Sequence, residues 1–431
     1  MGAADRKTTS IYKFGGASVC DAPGVQNVAS IVERYAHGHV VLVVSAMGKS
    51  TNRLEQVVRF WFDGQRPEAA EQAGMLRDFH HDIIANLAEN QASKRKLMAG
   101  VEPYFSQLFG FLSEPTPPVA SYNRRYDQVV GLGELISSRI LSDYLQLRGI
   151  DNQWLDAREW VVTNNTYRDA RVDWEATRAA IGTLNSGQVR CRVVQGFIGR
   201  DVVSGDSTTL GREGSDYTAA IFAHCLDAGE LTIWKDVPGV MDADPRRFPF
   251  ARLISELPYD EAVEMTYYGA SVIHPKTIKP LQNKGIKLRV RSFLRPELPG
   301  TLIHEGAESG QRSPYIIVKS PQALITVRTR DFSFVAEEHL SLIYTELYRL
   351  GVKVHLMQQT ALSFRFCVDD DPYKVRPLLE AFSPMLETEW EGGLDLWTLR
   401  HQSDRTEKGL LSGRKILVEQ RATQLVQLVL K

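Results

Sequence analysis

The sequence predicts an α/β fold with a mainly parallel sheet, followed by a second, smaller unit. Short apolar runs typical of buried strands alternate with helical segments through the first 300 residues, and this alternation is typical of parallel sheets. Two of the runs end in glycine-rich stretches. At 431 residues the chain is longer than one ordinary core, which indicates roughly two to three folding units.

The first two predicted strands have the same design. Residues 11–14 are rich in strand formers and end at Gly15 and Gly16, where the backbone can turn sharply and approach a ligand. Residues 40–45 (VVLVVS) form a continuous apolar run, typical of a strand buried on both faces, and lead into the small residues of 46–50 (AMGKS). Residues 22–35 between them are predicted to be helical.

The alternation continues downstream. Helical spacing of apolar residues runs through 67–113, until the prolines 115, 117 and 118. We then predict helices at 133–148 and 260–268 and strands at 192–196 and 231–234. Ligands of such sheets bind beyond the carboxyl ends of the strands, so the glycine-rich strand exits are the expected site.

A polar stretch at 305–313 (EGAESGQRS) divides the predicted domains, which we place at 1–305 and 315–431. Beyond it the expected order is β-α-β-β-α, the split, ferredoxin-like arrangement of small-molecule sensor domains. The elements expected are a strand at 323–329, a helix at 336–350, two strands within 354–368 and a helix at 371–382.

A weak internal repeat lies in this second part. LMQQTALSFRFCV (356–368) aligns without a gap on LVEQRATQLVQLV (417–429), with Gln359 on Gln420 and Ala361 on Ala422. We interpret this as one hairpin occurring twice, in one full unit and an abridged second copy, rather than as coincidence between amphipathic strands.

Composition excludes several functional classes. Lys and Arg total 51 against 52 Asp and Glu, so the chain lacks the basic footprint of a nucleic-acid-binding protein. The four cysteines lie far apart, in neither a metal-ligand nor a disulfide pattern. The apolar runs are too short to span a bilayer and the first ten residues are polar, so we expect a cytoplasmic protein without membrane or nucleic-acid partners.

Two glycine-rich segments contain the candidate anion-binding residues. KFGGAS (13–18) and TTLGREGSDYTAA (208–220) combine glycines, which let backbone N–H groups close on an anion, with Ser and Thr donors. A helix starting near Asp216 would point its positive end at the same place. Neither cluster has the spacing of a P-loop. Both are predicted to be phosphate or carboxylate cradles.

Six motifs together resemble the aspartokinase family: KFGGASV, VVSAMGKSTN, GLGEL, TTLGREGSDYTA, DVPGVMDADPR and YGASVIHP, in the family's order and approximate spacing. The resemblance implies the amino-acid-kinase three-layer fold, followed by C-terminal ferredoxin-like ACT units. The implied reaction moves the γ-phosphoryl group of ATP to the β-carboxylate of L-aspartate, giving 4-phospho-L-aspartate for lysine, threonine and methionine synthesis. Mg²⁺ would be carried by the nucleotide, without a metal site on the protein.

The resemblance assigns roles residue by residue. Lys13 and Asp216 would be catalytic, with the Lys13 ammonium neutralising charge on the transferring phosphoryl group. An arginine suits the α-carboxylate and acidic groups suit the α-ammonium of an amino acid. The implied substrate residues are Ser45, Thr51, Glu134, Arg212 and Asp216.

The nucleotide site implied by the resemblance comprises Lys13, Gly15, Gly16, Ser18, Lys235, Asp236, Gly239, Asp242 and Arg246. Two residues depart from the family pattern. Met241 stands where many members have a tyrosine, and Ser271 where many have a lysine. Since a missing cation would weaken stabilisation of the triphosphate, we take Lys235 as the candidate replacement.

The resemblance also implies partners. ACT-like units usually pair, so a homodimer or higher homo-oligomer is expected, with lysine or threonine as a possible effector. Two alternatives stay open: a kinase for another amino-acid carboxylate, and a catalytically impaired amino-acid sensor.

Overall fold

The computed structural model describes residues 9–186, 189–270, 273–306, 314–331, 333–401, 410–411 and 413–431. The chain forms two compact units. The first comprises residues 1–240, 255–263 and 273–307, and the second comprises 241–254, 264–272 and 308–431. None of the helices in the described ranges is long and apolar enough to cross a membrane.

Helices and strands are interspersed along the chain as far as residue 303, with one run of five helices over residues 50–147. In order they are β1 (Ser10–Phe14), α1 (Ala22–Tyr35), β2 (Val40–Val44), α2 (Ser50–Phe62), α3 (Arg66–Leu87), α4 (Gln91–Ser113), α5 (Tyr122–Val130), α6 (Leu132–Leu147), β3 (Gln153–Leu155), α7 (Ala157–Trp160), β4 (Val162–Thr163), α8 (Trp174–Gly182), β5 (Cys191–Gln195), β6 (Ile198–Asp201), β7 (Ser207–Thr209), α9 (Gly214–Cys225), β8 (Glu230–Lys235), β9 (Glu256–Leu257), α10 (Tyr259–Tyr268), α11 (Pro275–Gln282), β10 (Lys287–Ser292) and β11 (Thr301–Ile303). The helices and strands predicted in this part of the chain are all present, with ends within a few residues of the prediction.

The main sheet has the strand order β3-β5-β2-β1-β8-β10-β11-β9 among the described residues. Every neighbouring pair is parallel except β10 and β11. All five residues of β2 and of β5 are buried. Because successive side chains of a strand point to opposite faces, both faces of the sheet must be covered here. The predicted α/β fold with a mainly parallel sheet is confirmed.

The exits of β1 and β2 are tied together. The backbone N–H of Ser45 donates to the Phe14 carbonyl at 3.1 Å, and that of Gly48 donates to the Gly16 carbonyl at 3.0 Å. A Cβ atom on Gly16 would lie 2.7 Å from the Ala46 carbonyl oxygen. Only glycine therefore lets the two loops approach this closely, as the sequence pattern predicted.

The predicted helical excursion at 67–113 is confirmed as the helices α3 and α4. His80 in α3 is fully buried, and its Nδ1 lies 2.8 Å from the Leu76 carbonyl oxygen. Burial lowers the pKa of His80 to about 4. It is therefore a neutral core side chain.

The second unit is built on an antiparallel sheet with strand order β13-β14-β12-β15-β17-β16 among the described residues. Its apolar core is formed by side chains from β12, β14, α12 and α13. The elements are β12 (Tyr315–Thr329), α12 (Glu337–Arg349), β13 (Val354–Gln359), β14 (Phe364–Asp369), α13 (Pro372–Phe382), β15 (Leu386–Arg400), β16 (Ile416–Ala422) and β17 (Leu425–Leu430). The expected β-α-β-β-α order is present, and β15 completes the ferredoxin-like pattern.

Both segments of the repeat form hairpins, β13–β14 and β16–β17, but their turns differ. The first closes with Gln359 opposite Phe364, and the second with Ala422 opposite Leu425. The Thr360 N–H also donates to the Ser363 carbonyl, so each turn contains two residues, and the second turn comes one residue later in the alignment. Residues matched by the gap-free alignment therefore do not occupy equivalent positions across the hairpins. Residues 402–409 and 412 lie outside the described part, and the extent of the second copy stays a prediction.

Gly196, directly after β5, tests how closely the strand ends approach α9. A Cβ atom there would lie 2.5 Å from the Cβ of Ser215, so Gly196→Ala should destabilise the protein by about 1–3 kcal/mol. Gly74 in α3 is the matched control, because a Cβ there meets no atom within 4 Å. Gly74→Ala should add about 0.5–1 kcal/mol through helix propensity. Thermal unfolding followed by circular dichroism measures both; equal melting temperatures would contradict the close packing at Gly196.

Candidate active site

A cleft of about 590 Å³ lies in the first unit, beyond the carboxyl ends of β1, β2 and β8 and at the N-terminus of α9. This is the edge at which parallel sheets bind ligands. The residues that line it are Lys13, Gly16, Ser45, Ala46, Gly48, Thr51, Glu55, Tyr126, Glu134, Arg168, Phe197, Gly211, Arg212, Glu213, Gly214, Ser215, Asp216 and Lys235. It brings the two predicted glycine clusters together.

A buried ion pair lies in the cleft. Lys13 Nζ, from the central strand β1, is 2.7 Å from Asp216 Oδ1 in the first turn of α9, and the two side chains are 11% and 5% exposed. Each charge compensates the other where both side chains are largely removed from solvent. The Asp216 carboxylate therefore fixes the Lys13 ammonium at the carboxyl end of β1.

The loop before α9 presents a guanidinium to the cleft. Gly211 and Glu213 have positive φ angles of 76° and 55°, and this turns the chain sharply into the helix. The N-terminal end of α9 then carries the partial positive charge of the helix dipole. Arg212 is exposed and lines the cleft, and no acidic side chain among the described residues pairs with it. Its charge remains available to an anionic ligand.

Glu134 is a buried carboxylate without a full set of partners. It is 3% exposed and accepts a long hydrogen bond of 3.4 Å from the Ala46 N–H, while its Oε2 has no hydrogen-bond partner in the described part of the chain. Burial raises the pKa of Glu134 to about 8. An unsatisfied buried carboxylate lining a cleft is suited to a cationic ligand group.

Asp127 in α5 was not predicted from the sequence, yet it holds two walls of the cleft together. It is fully buried and accepts hydrogen bonds of 2.8 to 3.1 Å from the Arg168 N–H, the Thr209 N–H and the Thr209 hydroxyl. Burial raises the pKa of Asp127 to about 6 against the lowering effect of these bonds. Asp127 thus positions the segments carrying Arg168 and Arg212, and no local sequence pattern indicates this.

Three further cleft residues were missed. The Tyr126 hydroxyl donates to Glu55 Oε1 at 2.5 Å, and the Arg168 guanidinium lies 4.3 Å from the centroid of the Tyr126 ring. Glu55 follows Thr51 by one helical turn in α2, so spacing could have identified it once Thr51 was chosen. Tyr126 lies in α5 and Arg168 in the loop before α8, and only the fold brings them together.

The cleft contains eight of the predicted site residues: Lys13, Gly16, Ser45, Thr51, Glu134, Arg212, Asp216 and Lys235. Gly15 and Ser18 belong to the turn after β1, where the Ser18 N–H donates to the Gly15 carbonyl at 2.9 Å. Asp236 and Gly239 follow Lys235 in the loop after β8.

The remaining predicted nucleotide residues, Asp242 and Arg246, belong to the second unit. There, Asp242 accepts from the Arg252 N–H at 2.7 Å, and Arg246 pairs with Asp244 at 2.9 Å. Ser271, one of the two departures from the family pattern, lies outside the described residues.

The described residues contain no group of three or more His, Cys, Asp or Glu side chains arranged to hold a metal ion. A Mg²⁺ ion held mainly by phosphate oxygens and water needs no such group. The cationic Lys13 and the α9 N-terminus are suited to the phosphates of such a nucleotide.

Comparison with known proteins assigns the chain to a family. The amino acid kinase family model matches residues 8–292. Lysine-sensitive aspartokinase 3 of Escherichia coli is 30% identical over 405 residues, which cover 90% of this chain and 86% of that protein. Chloroplastic aspartokinase 2 of Arabidopsis thaliana is 28% identical, covering 87% and 69% of the two chains.

Solved structures agree. Escherichia coli aspartokinase III in complex with lysine and aspartate matches with a TM-score of 0.79 at 27% identity, covering 98% of this chain and 95% of that one. The same enzyme in complex with aspartate and ADP matches with a TM-score of 0.74. The chain belongs to the amino acid kinase family and, within it, to the aspartokinases.

Proposed function

We propose that the protein is an ATP-dependent aspartate kinase, which transfers the γ-phosphoryl group of ATP to the β-carboxylate of L-aspartate and so produces 4-phospho-L-aspartate, the first step towards lysine, threonine and methionine. The observation that carries the proposal is one cleft beside the Lys13–Asp216 pair. It holds a buried carboxylate, Glu134, with one unsatisfied oxygen, and a guanidinium, Arg212, that has no acidic partner among the described residues. These are the complements of an amino acid's two α-groups and of a phosphoryl group.

The amino acid is proposed to bind by charge. Glu134 accepts hydrogen bonds from the α-ammonium, and Arg212 donates two parallel bonds to the α-carboxylate. Ser45 and Thr51 lie at the exit of β2 and the start of α2, where their hydroxyls can donate to the β-carboxylate. Fixing both α-groups leaves the β-carboxylate as the free end that faces the nucleotide.

The chemical step needs little from the protein beyond position and charge. An oxygen of the ionised β-carboxylate attacks the γ-phosphorus, and the bond from that phosphorus to the β,γ-bridging oxygen breaks, releasing ADP. Because the carboxylate is already the nucleophile, no general base is required. The Lys13 ammonium, held by Asp216, neutralises charge on the transferring group, and the positive end of the α9 helix dipole adds to this stabilisation.

The nucleotide is proposed to lie over the exits of β1 and β8. Gly15, Gly16 and Ser18 would surround the triphosphate, with Lys235, Asp236 and Gly239 as the further nucleotide residues of the first unit. The roles that the resemblance implies for Asp242 and Arg246 stay predictions. Mg²⁺ bound to the nucleotide would neutralise charge on the β- and γ-phosphates. Support comes from the ADP complex of the Escherichia coli relative.

For the second unit we propose an ACT-like regulatory role, with residues 1–305 as the catalytic domain and 315–431 as the regulatory region. The support is its ferredoxin-like strand order and the lysine bound in the Escherichia coli structure. Lysine or threonine is the proposed effector, and a homodimer or higher homo-oligomer in the cytoplasm is the proposed form.

Substrate choice tests the proposal against its alternatives. ATP turnover should depend on aspartate, with glutamate at least about tenfold poorer, since an extra methylene displaces the reacting carboxylate. Lys13→Ala should lower kcat by about 10²–10³-fold, whereas the exposed Lys96→Ala in α4 should leave it unchanged. A preference for glutamate would favour the alternative of a kinase that acts on another amino-acid carboxylate. Absence of turnover with any amino acid would favour the impaired sensor.

Replacing Lys235 tests whether its ammonium takes the role of the lysine that many family members have at position 271. It lines the cleft at the end of β8, so Lys235→Ala should lower kcat by about 10–100-fold through weaker stabilisation of the triphosphate. Lys287→Ala is the matched control, because Lys287 lies opposite Glu230, at the other end of the neighbouring strand. Steady-state kinetics with saturating aspartate measures both variants. Wild-type turnover by Lys235→Ala would rule out the assignment.

The raised pKa of Glu134 predicts that a proton is released when aspartate binds. With its pKa raised to about 8, the free carboxyl is mainly protonated at pH 7, and an α-ammonium beside it favours the ionised form. Aspartate binding at pH 7 should therefore release roughly one proton, and release should fall as pH rises above 8. Calorimetry in two buffers of different ionisation enthalpy measures the number of protons.

Two variants make this measurement specific. Glu134→Gln should abolish the release and weaken binding, because the amide cannot ionise. Glu55→Gln alters an exposed carboxylate of the same cleft and should keep the release. Wild-type binding at pH 7 without proton release would contradict the placement of the ammonium at Glu134.

A further inference from the structure

A second cavity of about 580 Å³ lies in the first unit and has no part in the proposed reaction. Its walls come from α8, α9, α11 and the segment 169–172 that precedes α8. Cavities of this volume are large enough for a metabolite rather than a single ion. The chemistry of its walls indicates which metabolite.

The cavity is strongly basic. Its lining includes Arg171, Arg178, Lys276 and Lys279 against one carboxylate, Asp169, which pairs with Lys276. No carboxylate of the described residues lies within ion-pairing distance of Arg171, Arg178 or Lys279. Three cationic groups therefore line one cavity without an ion-pairing carboxylate among the described residues, and this favours an anion of more than one charge.

Arg178 is held in place by a neutral partner. Its Nη2 lies 2.7 Å from His224 Nε2, and His224 Nδ1 lies 2.9 Å from the Pro280 carbonyl oxygen. Since a carbonyl only accepts, Nδ1 carries the proton and Nε2 accepts from Arg178. Burial and the neighbouring Lys284 and Arg178 lower the pKa of His224. A neutral imidazole orients the guanidinium and leaves its charge for a ligand.

One wall is aromatic. The Trp174 ring makes edge contacts with the rings of His224, at a centroid distance of 5.1 Å, and Tyr217, at 6.4 Å. Trp174 is partly exposed and lines the cavity. A planar group can therefore pack on it while the anionic group reaches the arginines and Lys279.

We propose that this cavity binds a phosphate ester that carries a planar ring, of the nucleoside monophosphate class. The phosphate dianion contacts Arg171, Arg178 and Lys279, and the ring packs on Trp174. Phosphate and guanidinium match in geometry as well as in charge.

The cavity shares structure with the active-site cleft. Arg168 lines the cleft and the next residue, Asp169, lines the cavity. A Cβ on Gly211 would lie 2.6 Å from Asp169 Oδ1, so this carboxylate packs directly on the cleft loop. A bound phosphate attracts Lys276 away from Asp169 and thereby reaches the loop that carries Arg212. Occupancy is expected to change the KM for aspartate.

Calorimetry on the full-length protein tests the binding, with ADP and aspartate at saturation so that the cleft is occupied. AMP should bind, glycerol 3-phosphate more weakly, and inorganic phosphate more weakly still. Arg171→Ala/Lys279→Ala should weaken AMP binding about tenfold or more. Trp174→Leu should lower the affinity for AMP to that for glycerol 3-phosphate.

The matched control is Arg95→Ala/Lys96→Ala, which removes the same two residue types from an exposed face of α4 and should leave AMP binding unchanged. The Arg171 and Lys279 side chains are exposed, so folding of the double variant should be retained; the single Arg171→Ala and Lys279→Ala variants carry the same test if the double variant unfolds. Lack of AMP binding at millimolar concentration, or equal binding by the two double variants, overturns the proposal. Inorganic phosphate binding as tightly as AMP overturns the ring contact. These readouts are independent of kinase activity.

Discussion

The active-site cleft depends on one interaction, the buried ion pair between Lys13 and Asp216. A lysine in the central strand of a parallel sheet is costly to bury, and it is tolerated because the first turn of α9 supplies a carboxylate at 2.7 Å. The pair therefore couples the register of β1 with β2 and β8 to the position of α9. It also places a fixed cation and a helix N-terminus at the same point, which is what phosphoryl transfer requires.

The two other buried carboxylates of the site work differently. Asp127 is satisfied by backbone and hydroxyl donors from two segments, so it holds the cleft in shape with or without a ligand. Glu134 has one weak partner and an unsatisfied oxygen, so its desolvation is offset only when a cationic group binds. One carboxylate stabilises the scaffold, and the other keeps its binding capacity for the substrate.

The sequence predicted most of the helices and strands, because apolar periodicity and glycine-rich strand exits are local signals. It also predicted Lys13, Glu134, Arg212 and Asp216, which the fold brings into one cleft. Asp127, Tyr126 and Arg168 were missed because their neighbours come from distant segments, such as Thr209, which lies 82 residues beyond Asp127. The repeated hairpin was recognised, but its pairing was not, because the position of the turn sets the register and a gap-free alignment places both turns at the same position.

By itself the sequence determined the α/β class, the ferredoxin-like second part and the family, since each rests on patterns read along the chain. Only the tertiary structure decided which charges are paired and which remain available. Asp216 and Glu134 are both acidic residues in glycine-containing motifs, yet Asp216 is neutralised by Lys13, whereas Glu134 has no cationic partner among the described residues. The basic cavity around Arg178 is likewise assembled from three helices and one loop. Burial and charge pairing depend on distances between segments remote in sequence, and only folding sets those distances.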